Sequence, residues 1–154
     1  MDFALTSEQQ QIRDTFARFV DAEVAPRAAA IDDAHAYPRE LVRKLADLGF
    51  FGMRYPEDAG GLGLDLSTFC LALAEIARGS MSLAGCAAMQ ALMGTKFLQL
   101  LGNADILGRL FKPALAGEKI GAICMTEPNA GSDLDGIATT ARKVNGGYVL
   151  DGQK

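Results

Sequence analysis

Apolar residues recur at helical spacing from the start of the chain to about residue 111. The first stretch carries them three or four positions apart: Ile12, Phe16, Phe19 or Val20, and Val24. This spacing places them on one face of a helix. Ser7 and Gln10 are spaced as a capping box for its start, and Pro26 is expected to kink the helix or end its regular part. The sequence therefore opens with a long amphipathic helix.

A second helix is predicted between Pro38 and Gly49, because proline suits a first-turn position and glycine suits a helix end. Leu41, Leu45 and Leu48 would lie on one face of this helix.

A glycine-rich segment, AGGLGLD at residues 59–65, follows the second helix. Its glycines resemble those of a phosphate-binding loop, but no strand precedes it and no lysine follows it, as such a loop requires. We predict a turn between helices in which glycines adopt positive φ. A further helix is expected to begin near Asp65 or Ser67 and to end at Gly79.

The most apolar run of the chain, Gly79–Thr95, carries no charged residue. It is shorter than the ~20 residues that span a bilayer, and Gln90 interrupts it. We therefore predict a helix buried in protein from Ser82 to Leu101, ended by Gly102, and no membrane span. Its small residues leave room either for close helix packing or for a ligand channel.

Further predictions concern burial, helix ends and an exposed loop residue. Three methionines are expected to lie in the core: Met81, Met89 and Met93. Asn103 is placed to cap a short helix that reaches Phe111, and Pro113 with the AGEK segment is expected to break the helical pattern. His35, the single histidine, is expected in an exposed loop.

The hydrophobic period changes after residue 118. KIGAICMT, at 119–126, is a short apolar run bounded by turn residues, which predicts a strand. ATTARKV and YVLDGQK follow, and NGG at 145–147 between them is a strong hairpin signal. We predict a mainly α fold, with a helical bundle over 1–118 and the first strands of a β domain over 119–154. Because such strands have unpaired edges, we expect the chain to be the front part of a longer protein.

Composition narrows the class of protein. The chain has 154 residues, of which 49% are hydrophobic and 22% charged, as is typical of a soluble globular protein. A net charge of -4 without a basic cluster disfavours a nucleic-acid partner. Cys70, Cys86 and Cys124 lie far apart in apolar runs, which predicts reduced, buried thiols, no disulfide framework and no metal site. The N-terminal residues lack the pattern of a secretory signal, so a cytoplasmic location is expected.

The segment CMTEPNAGSDLDG is richer in polar and turn residues than a simple connection needs. Thr126 is expected at the end of the preceding strand, and Gly131 leaves space for a ligand near the backbone. Ser132 offers a hydroxyl and an N–H, and successive N–H groups in such turns bind anions. Spacing alone leaves two interpretations open: a cradle for a flat ring and its phosphate tail, or a plain turn capped by Asp133.

ICMTEPNAGSDLDGI closely resembles the first signature of the acyl-CoA dehydrogenase family, a strand followed by (Ser/Thr)-Glu-Pro-x-x-Gly-Ser-Asp. Three other segments are similar to the same family in the same order: FALTSEQQQIRDTFARFVDAEVAPRAA, YPRELVRKLADLGFFGMRYPEDAGGLGLD and GEKIGAICMTEP. The resemblance covers essentially the whole chain. Family members have an N-terminal helical domain, a middle β-barrel domain and a C-terminal four-helix domain. The chain is similar to the first of these and to the opening of the second, so we expect a truncated form of this fold.

The resemblance implies that one continuous segment lines a binding site for FAD: Ile123, Cys124, Met125, Thr126, Glu127, Pro128, Asn129, Ala130, Gly131 and Ser132. In the family the Thr126 position, with backbone from the Met125 position, hydrogen-bonds the pyrimidine side of the flavin. A donor there stabilises the negative charge that the flavin gains on reduction. The Ser132 position lies near the FAD pyrophosphate and the pantetheine arm of the substrate, so it is also the implied substrate contact. Glu127 and Asp133 are expected to hold the loop through hydrogen bonds.

The reaction implied by the resemblance is α,β-dehydrogenation of an acyl-CoA thioester to the enoyl-CoA, in fatty-acid or other lipid metabolism. In the family a glutamate of the C-terminal domain removes the α-proton while the β-hydrogen leaves as hydride to the flavin. No residue of this chain matches that base, so no catalytic residue is assigned and the chain alone is expected to be inactive. The family places acyl-chain contacts around 84–93, where small side chains imply a roomy channel.

The resemblance also implies partners and leaves alternatives open. Electron-transferring flavoprotein is the usual electron acceptor in the family, and the full-length proteins are mostly homotetramers. One alternative is a related flavin oxidase or monooxygenase of the same fold. The other is a helical interaction module that has lost its cofactor and its catalysis.

Overall fold

The structure is a computed structural model that describes residues 3–154. It consists of two compact units, a helical one that ends at Ala122 and a second one, Ile123–Lys154. The helices are α1 (Ser7–Phe19), α2 (Ala28–Ala34), α3 (Arg39–Asp47), α4 (Leu66–Gly79), α5 (Met81–Ala88), α6 (Lys96–Leu101), α7 (Ala104–Ile106) and α8 (Lys112–Leu115). The strands are β1 (Thr140–Val144) and β2 (Gly147–Asp151). The predicted order of helices first and strands last is confirmed.

Helix α1 is capped one residue earlier than the sequence predicts. The Thr6 hydroxyl accepts the Gln9 N–H at 3.2 Å, and the Gln9 side chain accepts the Thr6 N–H at 3.1 Å. This is a capping box. The predicted pair of Ser7 and Gln10 is wrong, because Ser7 is already the first helical residue and therefore has no cap position to fill.

The regular part of the first helix ends before Pro26. A π turn at Val20–Val24 and a 3₁₀ turn at Ala25–Arg27 follow α1, and the helical path then continues as α2. Pro26 lies inside the 3₁₀ turn, where its missing N–H costs less than it would in the middle of an α-helix. The predicted break in the regular helix is confirmed.

The core of the helical unit is formed by the apolar faces of α1, α3, α4 and α5. Its largest members are aromatic and aliphatic side chains that are almost fully buried: Phe16, Val20, Val24, Leu41, Leu45, Phe50, Phe51, Met53, Phe69, Ile76 and Leu83. Phe50 is central, because its ring contacts those of Phe16, Phe51 and Phe69 at centroid distances of 5.7, 5.8 and 5.0 Å. The helical spacing of apolar residues in α1 and α3 therefore identifies core positions correctly.

Helix α3 and the glycine-rich turn agree with prediction at most positions. Leu41 and Leu45 are buried, but Leu48 is 36% exposed because α3 ends at Asp47 and Leu48 has already left the helical face. The prediction for Leu48 is wrong. Gly60 and Gly63 have φ of +89° and +63°, so the predicted positive-φ turn is confirmed.

Two helices and a π turn replace the single long helix that is predicted from Ser82 to Leu101. Ser80 separates α4 from α5 and caps the latter, since its hydroxyl accepts the Leu83 N–H at 3.2 Å. The π turn, Met89–Met93, then leads to a break before α6. The prediction of one continuous helix is therefore wrong, although Gly102 does end the last segment.

The predicted burial of the three methionines is also wrong. Met81, Met89 and Met93 are 75%, 45% and 39% exposed, on the side of α5 and the π turn that faces away from the core. Whether an apolar helix face is covered depends on the elements that pack beside it, which the spacing along one helix cannot specify. In the part of the chain that is described, no helix has both the length and the apolar character needed to cross a bilayer.

Three smaller predictions concern helix ends and an exposed loop residue. Asn103 caps α7, as expected, by accepting the Ile106 N–H at 3.0 Å. Pro113 was expected to break the helical pattern but lies in the first turn of α8, where proline is tolerated. His35 is exposed, as predicted, and ends α2 with φ of +48°.

The second unit contains an antiparallel hairpin. Thr140 pairs with Asp151, and Val144 pairs with Gly147 beside the turn. Gly146 has φ of +82°, as the Asn-Gly turn requires. The predicted hairpin is confirmed.

The strand that is predicted over 119–126 is absent: these residues belong to no sheet. A strand needs a backbone partner, and among the described residues only β1 and β2 pair with each other as strands. The prediction of three buried thiols is wrong as well, since Cys70 and Cys124 are exposed and Cys86 is partly exposed. The three cysteines are free, as expected.

Candidate cofactor-binding loop

The TEPNAGSD segment begins with a tight turn in the second unit. Glu127 and Ala130 exchange two backbone hydrogen bonds, of 2.9 and 3.1 Å, and enclose Pro128 and Asn129. Proline at the second turn position presets the backbone angle that this turn needs. The turn is therefore closed at both ends by its own backbone.

The Glu127 carboxylate ties this turn to the hairpin. It accepts the N–H groups of Ala138 at 2.7 Å and Thr139 at 3.1 Å, and it lies 2.9 Å from the Lys154 ammonium. Glu127 is only 8% exposed, so these contacts replace water. The expectation that Glu127 holds the loop through hydrogen bonds is confirmed.

The same surroundings lower the pKa of Glu127 to about 2, from an ordinary value of 4.5. The nearby Thr139 side chain has the largest effect, followed by the Ala138 N–H and by Lys154. The buried Thr139 Oγ1 has no hydrogen-bond partner within the described chain, so the two backbone N–H groups and the Lys154 ammonium are the contacts that account for the lowered pKa. Glu127 is therefore ionised at neutral pH and is a very weak base.

Lys154 makes a second contact with the loop. Its ammonium group donates to the Met125 carbonyl oxygen at 3.1 Å. Its side chain is 29% exposed. Lys154 therefore contacts both neighbours of Thr126, the backbone carbonyl of Met125 and the side-chain carboxylate of Glu127.

Asp133 closes the other end of the loop. Its side chain accepts the Asp135 N–H at 3.1 Å and begins a 3₁₀ turn, Leu134–Gly136. The predicted capping role of Asp133 is confirmed. The segment from Glu127 to Gly136 is thus held at each end by an acidic side chain bonded to backbone N–H groups.

The residues within and next to this segment differ in what they offer to a ligand. Thr126 and Ser132 are exposed, and neither hydroxyl has a hydrogen-bond partner among the described residues. At Gly131 an added Cβ would meet nothing within 4 Å, so the space beside its backbone is open. Glu127 and Ala130 turn their side chains inward. The others in the predicted segment are exposed or partly exposed: Ile123, Cys124, Met125, Pro128 and Asn129.

This arrangement suits a ligand with hydrogen-bond acceptors and an anionic group. Two exposed hydroxyls lie on a segment whose turn is fixed by internal bonds, and Gly131 adds no side chain between them. Hydroxyl and backbone N–H donors are chemically suited to the pyrimidine edge and the diphosphate of FAD. The donor set and the open backbone therefore fit the cofactor that the sequence resemblance implies.

Sequence reasoning missed a buried polar cluster in the helical unit. Gln90, on the π turn, is 1% exposed. Its amide nitrogen donates to the carbonyl oxygens of Ala114 and Lys119, both at 2.9 Å, and its amide oxygen accepts the Gly121 N–H at 2.7 Å. A lone glutamine within the most apolar run of the chain was the available signal. Gln90 therefore ties the π turn to the segment that ends the helical unit.

Tyr55 and Thr95 satisfy the carbonyl groups that the π turn leaves free. The Tyr55 hydroxyl donates to the Ala91 carbonyl oxygen at 3.0 Å and lies 2.6 Å from the Thr95 hydroxyl. Thr95 in turn donates to the Gln90 carbonyl oxygen at 2.9 Å. Burial raises the pKa of Tyr55. Interrupted helices need such side-chain partners, because some of their buried backbone groups lack the regular backbone hydrogen bonds of an α-helix.

An apolar groove lies between α4 and α5 in the helical unit. Its volume is about 380 Å³, and most of its lining residues are small or apolar: Cys70, Leu73, Ala74, Ala77, Met81, Ala84, Gly85 and Ala88. Met89 and Met93, on the π turn that follows α5, are exposed as well. The groove and the π turn therefore offer polarizable thioether groups to a partner or a ligand.

Comparison with known proteins places the chain in a family. Residues 6–118 match the N-terminal domain of acyl-CoA dehydrogenases. Benzylmalonyl-CoA dehydrogenase from Aromatoleum aromaticum is 74% identical over all 154 residues, which cover 41% of that protein. The chain belongs to the acyl-CoA dehydrogenase family.

Solved structures agree with this assignment. A glutaryl-coenzyme A dehydrogenase in complex with glutaryl-CoA has a TM-score of 0.90 and 32% identity, over 99% of this chain and 39% of that one. An acyl-CoA dehydrogenase from Bacillus anthracis, complexed with FAD, has a TM-score of 0.84 and 31% identity, over 96% of this chain and 26% of that one. The chain thus spans well under half the length of these relatives.

Proposed function

We propose that this chain belongs to an FAD-dependent acyl-CoA dehydrogenase, which converts an acyl-CoA thioester to its α,β-unsaturated product. The observation that carries the proposal is the internally braced TEPNAGSD loop with two free, exposed hydroxyls, in a chain of the acyl-CoA dehydrogenase family. A helical interaction module without a cofactor would have no need for such a loop. We accordingly assign residues 123–132 to the cofactor site and residues 119–154 to the start of a middle β domain.

Each exposed hydroxyl has a separate role in this proposal. Thr126 donates to the pyrimidine edge of the flavin through its hydroxyl and its N–H. Ser132 binds the diphosphate of FAD and contacts the pantetheine arm of the substrate. When bound, FAD supplies the acceptor for the hydride that leaves the β-carbon. The chain's own contribution is to hold the cofactor in position and to favour its reduced charge.

Glu127 is excluded as the base that removes the α-proton. A pKa of about 2 leaves its carboxylate with almost no affinity for a proton near neutral pH. Its oxygens are also occupied by two N–H groups and an ammonium group. We therefore propose that the catalytic base lies outside these 154 residues, as the family resemblance implies.

The acyl group is proposed to carry an aromatic ring. Two observations support this substrate class: the 74% identity to a protein named benzylmalonyl-CoA dehydrogenase, and the exposed methionines on α5 and the π turn. Thioether sulfur makes favourable contacts with aromatic ring edges. The small residues Ala84, Gly85 and Ala88 line a groove together with Met81 and leave space there for a bulky group.

The remaining assignments follow from family membership. We propose electron-transferring flavoprotein as the electron acceptor, a homotetramer as the assembly, and the cytoplasm as the location. Each of these belongs to the full-length protein rather than to this chain.

The test is anaerobic addition of substrate to the purified full-length protein, followed through the visible absorbance of the flavin. We expect the absorbance to bleach when an aryl-substituted acyl-CoA is added, and to bleach more slowly with a straight-chain acyl-CoA of similar size. A protein without flavin absorbance would contradict the proposal. Faster bleaching with the straight-chain compound would contradict the aromatic substrate class alone.

A further inference from the structure

Lys154 contacts the two residues that flank Thr126. Its ammonium group donates to the Met125 carbonyl oxygen at 3.1 Å and pairs with the Glu127 carboxylate at 2.9 Å. Both contacts lie within the second unit. What they mean for a bound flavin rests on the proposed function.

The Met125 carbonyl and the Thr126 N–H belong to the same peptide group. This peptide is trans, since the described chain has no cis peptide bond, so its N–H points away from its carbonyl. Lys154 bonds the carbonyl side. The Thr126 N–H on the other side has no acceptor among the described residues. The carbonyl of this peptide is therefore held by Lys154, and its N–H is available to a ligand.

A positive donor on a carbonyl strengthens the N–H of the same peptide as a donor. Hydrogen bonds in a chain polarise one another, and a charged donor does so more than a neutral one. Because the Glu127 carboxylate lies 2.9 Å from the ammonium group, the two charges largely cancel for groups that are farther away. Lys154 therefore acts chiefly through its direct bond to the Met125 carbonyl. The effect is therefore local and directed at whatever the Thr126 N–H binds.

We propose that Lys154 is a positioning residue for the cofactor. Through the Met125 carbonyl it orients and polarises the Met125–Thr126 peptide, so that the Thr126 N–H binds reduced flavin more tightly than oxidised flavin. The reduced form carries the negative charge, and a stronger donor stabilises that form preferentially.

A purely structural role for Lys154 makes a different prediction. If Lys154 only braced the loop through Glu127, its loss would weaken the binding of oxidised and reduced flavin equally. The reduction potential of the bound flavin would then stay constant, because that potential depends on the ratio of the two affinities. The potential therefore separates the two roles.

The experiment compares Lys154→Met with the wild type in the full-length protein. We expect the affinity for reduced flavin to fall about tenfold relative to oxidised flavin, which lowers the two-electron potential by about 30 mV. Lys154→Arg keeps a charged donor and should restore most of the potential. Lys143→Met removes the same charge from an exposed position of β1 and should leave the potential unchanged.

The outcomes separate the role of Lys154 from the proposed function. Bound flavin with an unchanged potential in Lys154→Met overturns the role of Lys154 and leaves the proposed function intact. A wild-type protein that binds no flavin overturns both. If Lys154→Met loses its flavin, Lys154→Gln retains a neutral N–H donor, and a wild-type potential in that variant overturns the role of the charge.

Discussion

At the scale of single residues, Glu127 and Gln90 are the polar side chains on which the local structure depends most. Each is buried, and each bonds to backbone groups of a segment that is distant in the sequence. Removing one partner of a buried hydrogen bond costs more than the bond itself contributes, because the remaining group stays buried and unsatisfied. Both residues are therefore suited to direct tests.

The pH dependence of the loop is expected to follow Glu127. Its pKa is lowered in the folded loop to about 2, from 4.5, so its contribution to stability is fully present above about pH 4.5. That contribution is lost as the pH falls from about 4.5 through about 2. A carboxyl-carbon NMR titration of the full chain should give a midpoint near 2, with the signal assigned through its absence in Glu127→Gln. A midpoint near 4.5 would contradict the hydrogen-bond network described for this carboxylate.

Gln90→Leu is expected to destabilise the helical unit by about 2–4 kcal/mol. The substitution leaves the Lys119 carbonyl and the Gly121 N–H without their partner. The Ala114 carbonyl loses one of its two bonds and keeps the one from the Gly117 N–H. Denaturant unfolding followed by far-ultraviolet circular dichroism measures the change. Gln11→Leu, at an exposed position of α1, is the matched control and should change stability by less than about 0.5 kcal/mol. Equal losses of stability in the two variants would contradict the proposed role of the Gln90 hydrogen bonds.

At the scale of elements, the break between the π turn and α6 depends on a close backbone contact. Gly94 lies against Gly121, and a Cβ at Gly94 would come within 2.5 Å of the Gly121 carbonyl oxygen. Such a distance cannot be accommodated without moving the backbone. The contact therefore fixes where the π turn meets the end of the helical unit.

Gly94→Ala is accordingly expected to destabilise the helical unit by about 1–3 kcal/mol. Gly85→Ala provides the control, because an added Cβ there meets nothing within 4 Å and alanine favours the helix. It should leave stability unchanged or raise it by about 0.5–1 kcal/mol. The midpoints of denaturant unfolding compare the two variants. A loss in Gly85→Ala that matches the loss in Gly94→Ala would refute the close contact.

The elements that could be predicted from the sequence are those specified by neighbouring residues. Asn103 caps its helix, Gly146 makes the hairpin turn, and Asp133 closes the loop, each through bonds within a few positions. Features that depend on remote partners could not be predicted. The prediction of a strand over 119–126 was wrong because no described segment pairs with these residues. The hydrogen bonds of Gln90 join residues that are far apart in the chain.

At the scale of the whole molecule, the chain combines a helical unit with a short second unit that carries the signature loop. Family membership follows from the match over residues 6–118 and from the identity to known dehydrogenases. The roles of residues 123–132 remain proposals. The motif identifies the loop from consecutive residues, whereas the contacts of Lys154 with Met125 and Glu127 join residues that are distant in the sequence.

The central claim is that Thr126 and Ser132 bind FAD. The most direct measurement is the flavin content and FAD dissociation constant of the full-length protein with Thr126→Val, compared with Thr140→Val, an equally conservative change at an exposed position of β1. We predict that Thr126→Val weakens FAD binding about tenfold, the cost of one lost hydrogen bond to a ligand, while Thr140→Val binds like the wild type. Unchanged FAD affinity in both Thr126→Val and Ser132→Ala would contradict the assignment of this loop.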